Sequence, residues 1–524
     1  MDGRNILGYK YSALAEKVMQ SLSPTTQDIL EGQFHMASPE EVDEAMQLAQ
    51  NAFQSYKQTS GEQRAAFFNA IADEIEFLGD GLIQRAMLES GLPEGRLKGE
   101  RSRTVNQLRL FAKYVTEGSW VEASIDLAQP DRRPFPKADI RKMLVSIGPV
   151  VVFTASNFPL AFSTAGGDTA SALAAGNPVI IKAHEAHLGT NALVAVAISR
   201  AAKNTGMPDG VFSSLNGTGP ELGQSLVKHP LCQAVAFTGS HRAGKALFDS
   251  AAQRAIPIPV FAEMGSINPV FLLRQKLEQE AAALAKQYAA SVTLVVGQFC
   301  TNPGLIIGLE GPALTQFIHS LSDEIGQIAP AVMLNQNVCN NYARSKEQSL
   351  AENGVQLEGQ SQTKAQGNQG RPTVASVKAS DFLQNAHLQE EVFGPFTLVV
   401  RCTSAEELME VAQSLQGQLT ATLMGTSEEL VQQKHLIRIL QDRVGRLLFN
   451  GVPTGVEVCH SMHHGGPYPA TTDGRFTSVG TDAIKRFARP VVFQNCLPDL
   501  LPPALQDGNP LQIWRKIDGR MGQR

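Results

Sequence analysis

The sequence predicts an α/β protein built around a doubly wound, parallel-stranded nucleotide-binding unit, and three observations carry that expectation. Five short apolar runs, at 150–154, 178–182, 211–215, 234–238 and 259–263, alternate with segments of helical periodicity, the mark of successive βαβ units. The 524 residues exceed what one ordinary core organises, so two or three domains of about 100–200 residues each are expected. Hydrophobic residues make up 43% and charged residues 18%, a balance that fits a globular interior and excludes a disordered or fibrous chain.

Taken in order, residues 1–17 are broken by charges and tyrosines where a secretory signal needs an unbroken apolar run. No later stretch reaches the roughly 18 apolar residues of a membrane span, so the cytoplasm is the expected compartment. The first third reads as helical. Ser38-Pro39-Glu40-Glu41 offers a cap, a first-turn proline and a capping box, and Val42, Ala45, Met46, Ala49, Ala52, Phe53 and Tyr56 follow at helical spacing. A second amphipathic helix is expected over about 100–114, with Val105, Leu108, Ala112 and Val115 on one face and Arg103, Gln107, Leu110 and Tyr114 on another.

Helices filling the gaps of the βαβ series are expected at about 167–175, 189–203, 220–228 and 242–254. A second α/β region, about 266–470, holds a helical stretch at 277–292, a turn at 297–300 and a polar, exposed segment at 359–370. The segments 132–147 and 484–494 are short, charged and rich in β-branched residues, as suits outlying strands that pair elsewhere or across a subunit interface.

The formal charge of -5 gives no positive field for nucleic acid or an anionic membrane, so neither is an expected partner. Cysteines at 232, 300, 339, 402, 459 and 496 form no CxxC pair and no metal-like spacing with histidine; neither a disulfide framework nor a metal site is expected.

Several residues stand where chemistry is possible. Cys300 lies in the loop-prone frame Gly297-Gln298-Phe299-Cys300-Thr301-Asn302-Pro303-Gly304; a lone cysteine is ordinarily inert, and a nucleophilic role needs neighbours that favour the thiolate. Glu263 ends an apolar strand, at the edge where open α/β sheets bind ligands, although a surface pair is as good a reading of that residue alone. Asn157 follows another strand, where its amide is either a turn former or a donor to an oxyanion. Gly239-Ser240 opens a helix whose N-terminus suits a pyrophosphate, yet the run does not match GxGxxG followed by an acid. The adjacent His463 and His464 read as a loop near the site rather than a metal pair.

Together, Phe153–Pro159, Ile181-Lys182-Ala183-His184-Glu185, Phe237-Thr238-Gly239-Ser240, Glu263-Met264-Gly265, Gly297–Cys300 and Glu391-Val392-Phe393-Gly394-Pro395 resemble the aldehyde dehydrogenase superfamily in order and spacing, over roughly 38–493. The resemblance implies an aldehyde dehydrogenase-like fold and NAD(P)-dependent oxidation of an aldehyde to a carboxylic acid. In it Cys300 is the nucleophile, Asn157 and the Cys300 N–H hold the oxyanion, and Glu263 activates the water that hydrolyses the thioester. Lys182 and Glu185 match positions that reach the adenosine ribose, Gly239 and Ser240 the pyrophosphate turn, and Glu391 and Phe393 the nicotinamide side. Glu185 accepts hydrogen bonds from a ribose diol and repels a 2′-phosphate, and Pro220 stands where an NADP-favouring relative has an arginine, so NAD is favoured over NADP. Lys182 can still neutralise a phosphate.

The run Asn450–His460 with His464–Thr471, and Glu100-Arg101-x-Arg103-Thr104 with Gln107-Leu108-Arg109, resemble the α-ketoglutaric semialdehyde (2,5-dioxovalerate) dehydrogenase branch, whose product is 2-oxoglutarate. An NADP-dependent long-chain fatty aldehyde branch shares parts of this pattern and is the alternative. By the same resemblance Arg103 lines the substrate tunnel, as a carboxylate clamp or as an ordinary surface arginine. A non-catalytic binding protein on this fold is disfavoured because Cys300, Glu263 and Asn157 are all present, and an acyl reductase because such branches tend to lack the glutamate. The implied organisation is a cofactor domain from 1–131 and 149–264, a catalytic domain 265–472, an oligomerisation arm from 132–148 and 473–500 that makes a homodimer or homotetramer, and an extension 501–524 containing Trp514 that reaches a neighbouring subunit.

Overall fold

The protein, described over residues 1–523 of a computed structural model, is organised by three large sheets. The first has seven strands in the order Val260–Glu263, Ala234–Thr238, Val150–Phe153, Val179–Lys182, Phe212–Leu215, Asn5–Leu7 and Lys10–Ser12. The first five are parallel and lie within one residue of the expected runs at each end. Helices Gly167–Ala174, Leu188–Asn204, Gly219–Lys228 and His241–Ala252 connect them. Val150, Val151, Val179, Ile180 and Ile181 are fully buried because helices cover both faces, which is why these strands read as continuous apolar runs rather than alternating ones. The N-terminal hairpin, absent from the sequence reading, closes one edge: Asn5–Leu7 pairs antiparallel with Phe212–Leu215.

Four helices make up the first third: Pro39–Tyr56, Gly61–Phe77, Gly79–Ser90 and Glu94–Glu117. At the first, the Ser38 hydroxyl accepts from the Glu41 N–H at 3.2 Å while the Glu41 carboxylate accepts from the Ser38 N–H at 2.8 Å, the reciprocal box its sequence predicts. The last helix starts six residues before its expected position, with Pro93 at its N-cap, and ends at Gly118. Its apolar face, Val105, Leu108, Ala112 and Val115, is buried, and the opposite face turns Arg103 inward rather than to solvent.

The second sheet runs Gln356–Gln360, Thr373–Lys378, Phe396–Cys402, Leu305–Leu309, Val270–Leu272, Gln418–Met424 and Val444–Phe449, all parallel except the first edge strand. The helix Arg274–Thr293 contains the expected 277–292, and residues 362–367 of the polar segment are exposed.

The third sheet joins remote parts of the chain. Ile140–Ser146 pairs antiparallel with Ala488–Gln494 along its whole length, so the two outlying segments meet each other within one chain. Residues 132–139 form a loop instead of strand, and the second strand starts at Ala488 because Ala483, Ile484 and Phe487 are drawn into the core. Ser124–Asp126 extends the sheet, and Arg515–Ile517 with Arg520–Gly522 completes it, so the C-terminal extension docks on its own chain. No helix among the described residues is long and apolar enough to cross a membrane.

Candidate active site

The five parallel strands of the first sheet deliver their carboxyl ends to one edge. Val150–Phe153 has Val179–Lys182 on one side and Ala234–Thr238 on the other, so the chain winds away in opposite directions from it and leaves a crevice at its end. Lys182 ends one flanking strand and is buried, and burial lowers its ammonium pKa, with the exposed Glu185 opposing. Gly239 and Ser240 follow the other; the Ser240 hydroxyl caps the helix His241–Ala252, accepting from the Ala243 N–H at 3.4 Å. The Gly239 N–H donates to the Glu263 carbonyl at 3.0 Å, tying this turn to the last strand. Lys182, Gly239 and Ser240 therefore lie at the carboxyl ends of the two strands flanking the switch point, with a helix N-terminus beside them, a setting whose donors suit a pyrophosphate and ribose.

Opposite this edge, the chain reaches Cys300 through a turn in which Val295, Val296 and Gly297 all take left-handed conformations, with φ of 49°, 57° and 65°. Two β-branched residues there store backbone strain of about 1–3 kcal/mol each. Gly297 is obligatory: a Cβ would meet the Gly394 carbonyl carbon and oxygen at 2.3 Å. The fully buried Asn268 clamps the loop beyond, donating to the carbonyls of Cys300 and Asn302 at 2.9 Å each. Asn302 donates in turn to the Gly394 carbonyl at 3.2 Å, which links the cysteine loop to the turn carrying Glu391 and Phe393.

Glu263, Cys300 and His464 converge. His464 Nε2 lies 3.4 Å from Cys300 Sγ and 3.1 Å from Glu263 Oε1. The Ser478 hydroxyl donates to the other oxygen of Glu263 at 2.6 Å. His464 arrives there because the Met264 N–H donates to the Ala470 carbonyl at 2.8 Å and Glu263 bridges to Thr471, pulling the 463–471 loop onto the strand end. Burial pushes the Glu263 carboxyl up, but the charge of His464 and hydrogen bonds from His464, Ser478 and Cys300 outweigh it and hold the group below its ordinary value. Burial, reinforced by the Glu263 carboxylate, pushes the Cys300 thiol well up, and Arg103 opposes. Glu391, whose Oε1 accepts from the Ser266 N–H at 3.3 Å, is raised by burial to about 7. Gly265 leaves room for it, since a Cβ there would sit 2.8 Å from Glu391 Oε2.

Asn157 is held at this loop: its side-chain N–H donates to the Gln298 carbonyl at 3.2 Å, leaving the second amide hydrogen for another acceptor. The segment beyond it is fixed by buried Glu100, which accepts from the Leu160 and Ala161 N–H groups at 2.8 Å each and from Arg96 at 2.6 Å. One helical turn on from Glu100, Arg103 lies over Phe162 at 5.1 Å and Phe158 at 5.8 Å. It makes no ion pair among the described residues, and its Nε is buried without a hydrogen-bond partner. Arg446 also lies within electrostatic reach of Cys300 and pins the 450–460 run by donating to the Pro453 carbonyl at 2.8 Å. Arg101 and Arg109, part of the same helix motif, serve elsewhere: Arg101 binds the Gly79 carbonyl and Arg109 pairs with Asp73 and Glu76 on the surface.

Sequence reasoning left His464 as a nearby loop residue and missed Asn268, Ser478, Arg96 and the lock formed by Glu100. The histidine pair was a visible signal for the first; the others are joined by contacts between distant segments, which no local pattern encodes.

The chain matches the aldehyde dehydrogenase family over residues 11–489. It is 48% identical over 521 residues to alpha-ketoglutaric semialdehyde dehydrogenase 2 of Azospirillum brasilense, covering 99% of each chain. It is 44% identical over 523 residues to alpha-ketoglutaric semialdehyde dehydrogenase of Acinetobacter baylyi, covering 100% of this chain and 99% of the other. Among solved structures, betaine aldehyde dehydrogenase of Staphylococcus aureus in complex with NAD+ superposes with a TM-score of 0.79 at 18% identity, over 95% of this chain and 99% of that one. The chain belongs to the aldehyde dehydrogenase family, and it is an NAD(P)-dependent oxidoreductase acting on an aldehyde.

Proposed function

We propose that the protein oxidises α-ketoglutaric semialdehyde to 2-oxoglutarate through a thioester on Cys300. The observation that carries the substrate is Arg103, a half-buried guanidinium that makes no ion pair among the described residues and lies over Phe158 and Phe162 within charge range of the cysteine. An aldehyde bearing a carboxylate at its far end satisfies that cation bidentately, whereas an alkyl chain leaves it desolvated and unpaired. The names of the two relatives support the same substrate.

In this reading the Glu263 carboxylate, which accepts a hydrogen bond from Cys300, takes the thiol proton and releases it to solvent before the hydrolysis step. The Cys300 thiolate adds to the aldehyde carbon, and the free Asn157 amide hydrogen with the Cys300 N–H receives the oxyanion. A nicotinamide dinucleotide, when bound, would supply the hydride acceptor. Glu263, held ionised by its neighbours, then draws a proton from the water that hydrolyses the thioester. Lys182 and Glu185 would hold the adenosine ribose, Gly239 and Ser240 the pyrophosphate, and Glu391 and Phe393 the nicotinamide end; Glu185 favours NAD over NADP by repelling a 2′-phosphate.

The test is steady-state reduction of NAD and NADP with α-ketoglutaric semialdehyde, succinic semialdehyde and a long-chain aldehyde, beside a Cys300→Ala control. We expect the highest kcat/KM with α-ketoglutaric semialdehyde and NAD, and none in the control. A preference for the long-chain aldehyde overturns the substrate and leaves the thioester chemistry; a large preference for NADP overturns the role given to Glu185.

A further inference from the structure

We propose that Glu263, Cys300 and His464 form a chelating site for zinc, occupied in competition with the aldehyde, so that free Zn2+ reversibly switches the enzyme off. Local spacing argued against a metal site, but the fold brings these three together from distant parts of the chain into a group of metal-ligating side chains close enough to hold one ion. The ligand atoms all lie within 4.8 Å of one another.

The geometry suits one ion in particular. Tetrahedral zinc with a sulfur at about 2.3 Å and a nitrogen at about 2.0 Å separates the two by roughly 3.5 Å, and a nitrogen and an oxygen by roughly 3.3 Å. The protein holds Sγ and Nε2 at 3.4 Å and Nε2 and Oε1 at 3.1 Å, close to those two edges, and the third edge, Sγ to the carboxylate, lies within 4.8 Å and closes to roughly 3.6 Å when the ion enters. One thiolate, one imidazole and one carboxylate are the mixed donor set that zinc takes when a fourth position stays open, and magnesium or calcium would forgo the sulfur. Cys300 is only half-buried, and the nucleophile that must meet the aldehyde is itself one of the ligands, so ion and aldehyde exclude each other. Binding exchanges the thiol proton for the metal and removes the nucleophile.

The surroundings set the strength. Ser478 donates to the non-ligating oxygen of Glu263, as a ligating carboxylate requires. His464 Nδ1, however, is buried without a hydrogen-bond partner, where a dedicated zinc histidine donates to a carboxylate or carbonyl. That omission places the site among weak, exchangeable ones rather than structural ones, which is what a reversible inhibitory ion needs.

The experiment uses the full chain and Co2+ as a spectroscopic stand-in for zinc. One Co2+ per chain should produce a sulfur-to-cobalt charge-transfer band with four-coordinate visible bands. Zn2+ should displace it, and Cys300→Ser should abolish it. His464→Gln and Glu263→Gln should each weaken binding at least about 10-fold, with thermal unfolding midpoints confirming that both fold, while Cys459→Ser should leave binding unchanged. In the wild-type enzyme Zn2+ should inhibit competitively against aldehyde, and EDTA should restore turnover. No charge-transfer band overturns the proposal. So does a band that keeps its full affinity in both His464→Gln and Glu263→Gln, since sulfur alone would then hold the metal.

Discussion

Cys300 is pulled in two directions: burial and the Glu263 carboxylate raise its thiol pKa, and the Arg103 cation lowers it. The thiolate is the nucleophile, so a raised value leaves little of it near neutrality, and kcat/KM should climb with pH until the thiol titrates. Arg103→Met removes the opposing cation, so the limb should move to higher pH for every aldehyde. Substrates should then part company on KM. A carboxylate paired with a guanidinium contributes about 1.5–3 kcal/mol, so KM for α-ketoglutaric semialdehyde should rise about 10- to 100-fold, with little change for a plain aliphatic aldehyde. Equal losses of KM on both would make Arg103 a tuner of the thiol and nothing more.

The helix Glu94–Glu117 sets Arg96, Glu100 and Arg103 along one stripe, spaced four and then three residues apart, and that stripe organises the loop bearing Asn157. Asn157→Ala deletes one oxyanion donor and should lower kcat about 10²- to 10³-fold without moving the unfolding midpoint, since a single hydrogen bond to the Gln298 carbonyl goes with it. Glu100→Gln acts through the loop: two backbone donors lose a charged acceptor and Arg96 loses its partner, so both kcat and stability should fall, the latter by about 1–3 kcal/mol. If calorimetry and turnover find Glu100→Gln as active and stable as the wild type, the loop is held elsewhere. Asn157 and Arg103 stand out in the sequence because each sits in a motif whose neighbours in sequence also matter. Glu100 was quoted in the same motif, yet its partners lie 60 and 61 residues on, and His464 meets Cys300 across 164 residues. Such meetings are decided by how sheets and helices pack.

At the level of the molecule, the elements at the two ends of the chain that escaped sequence reading are very short ones. The Asn5–Leu7 and Lys10–Ser12 hairpin and the tail strands Arg515–Ile517 and Arg520–Gly522 have three residues each, too few to show a period, and their pairing partners lie far away in sequence. The tail is nonetheless integral. Leu505 and Ile513 are buried in the first core, the Leu505 carbonyl and Asp507 accept from buried Arg141 at 2.7 and 2.8 Å, and Arg515–Ile517 pairs with Ser124–Asp126. Arg141 lies on the strand Ile140–Ser146, so the tail steadies the sheet whose far edge, Ala488–Gln494, is open. We propose that this arm, with Phe135 74% and Val492 55% exposed, assembles the enzyme into a dimer or tetramer. Removing residues 501–524 strips Arg141 of two acceptors and deletes the buried Leu505 and Ile513, uncovering the core residues they pack against. The shortened chain should therefore unfold at a lower temperature, and light scattering should find its mass shifted from a multiple of the 56.4 kDa subunit toward a single chain. A truncated protein with the same midpoint and the same assembly would make the tail an appendage and put the rigidity of the arm in the pairing of Ile140–Ser146 with Ala488–Gln494 alone.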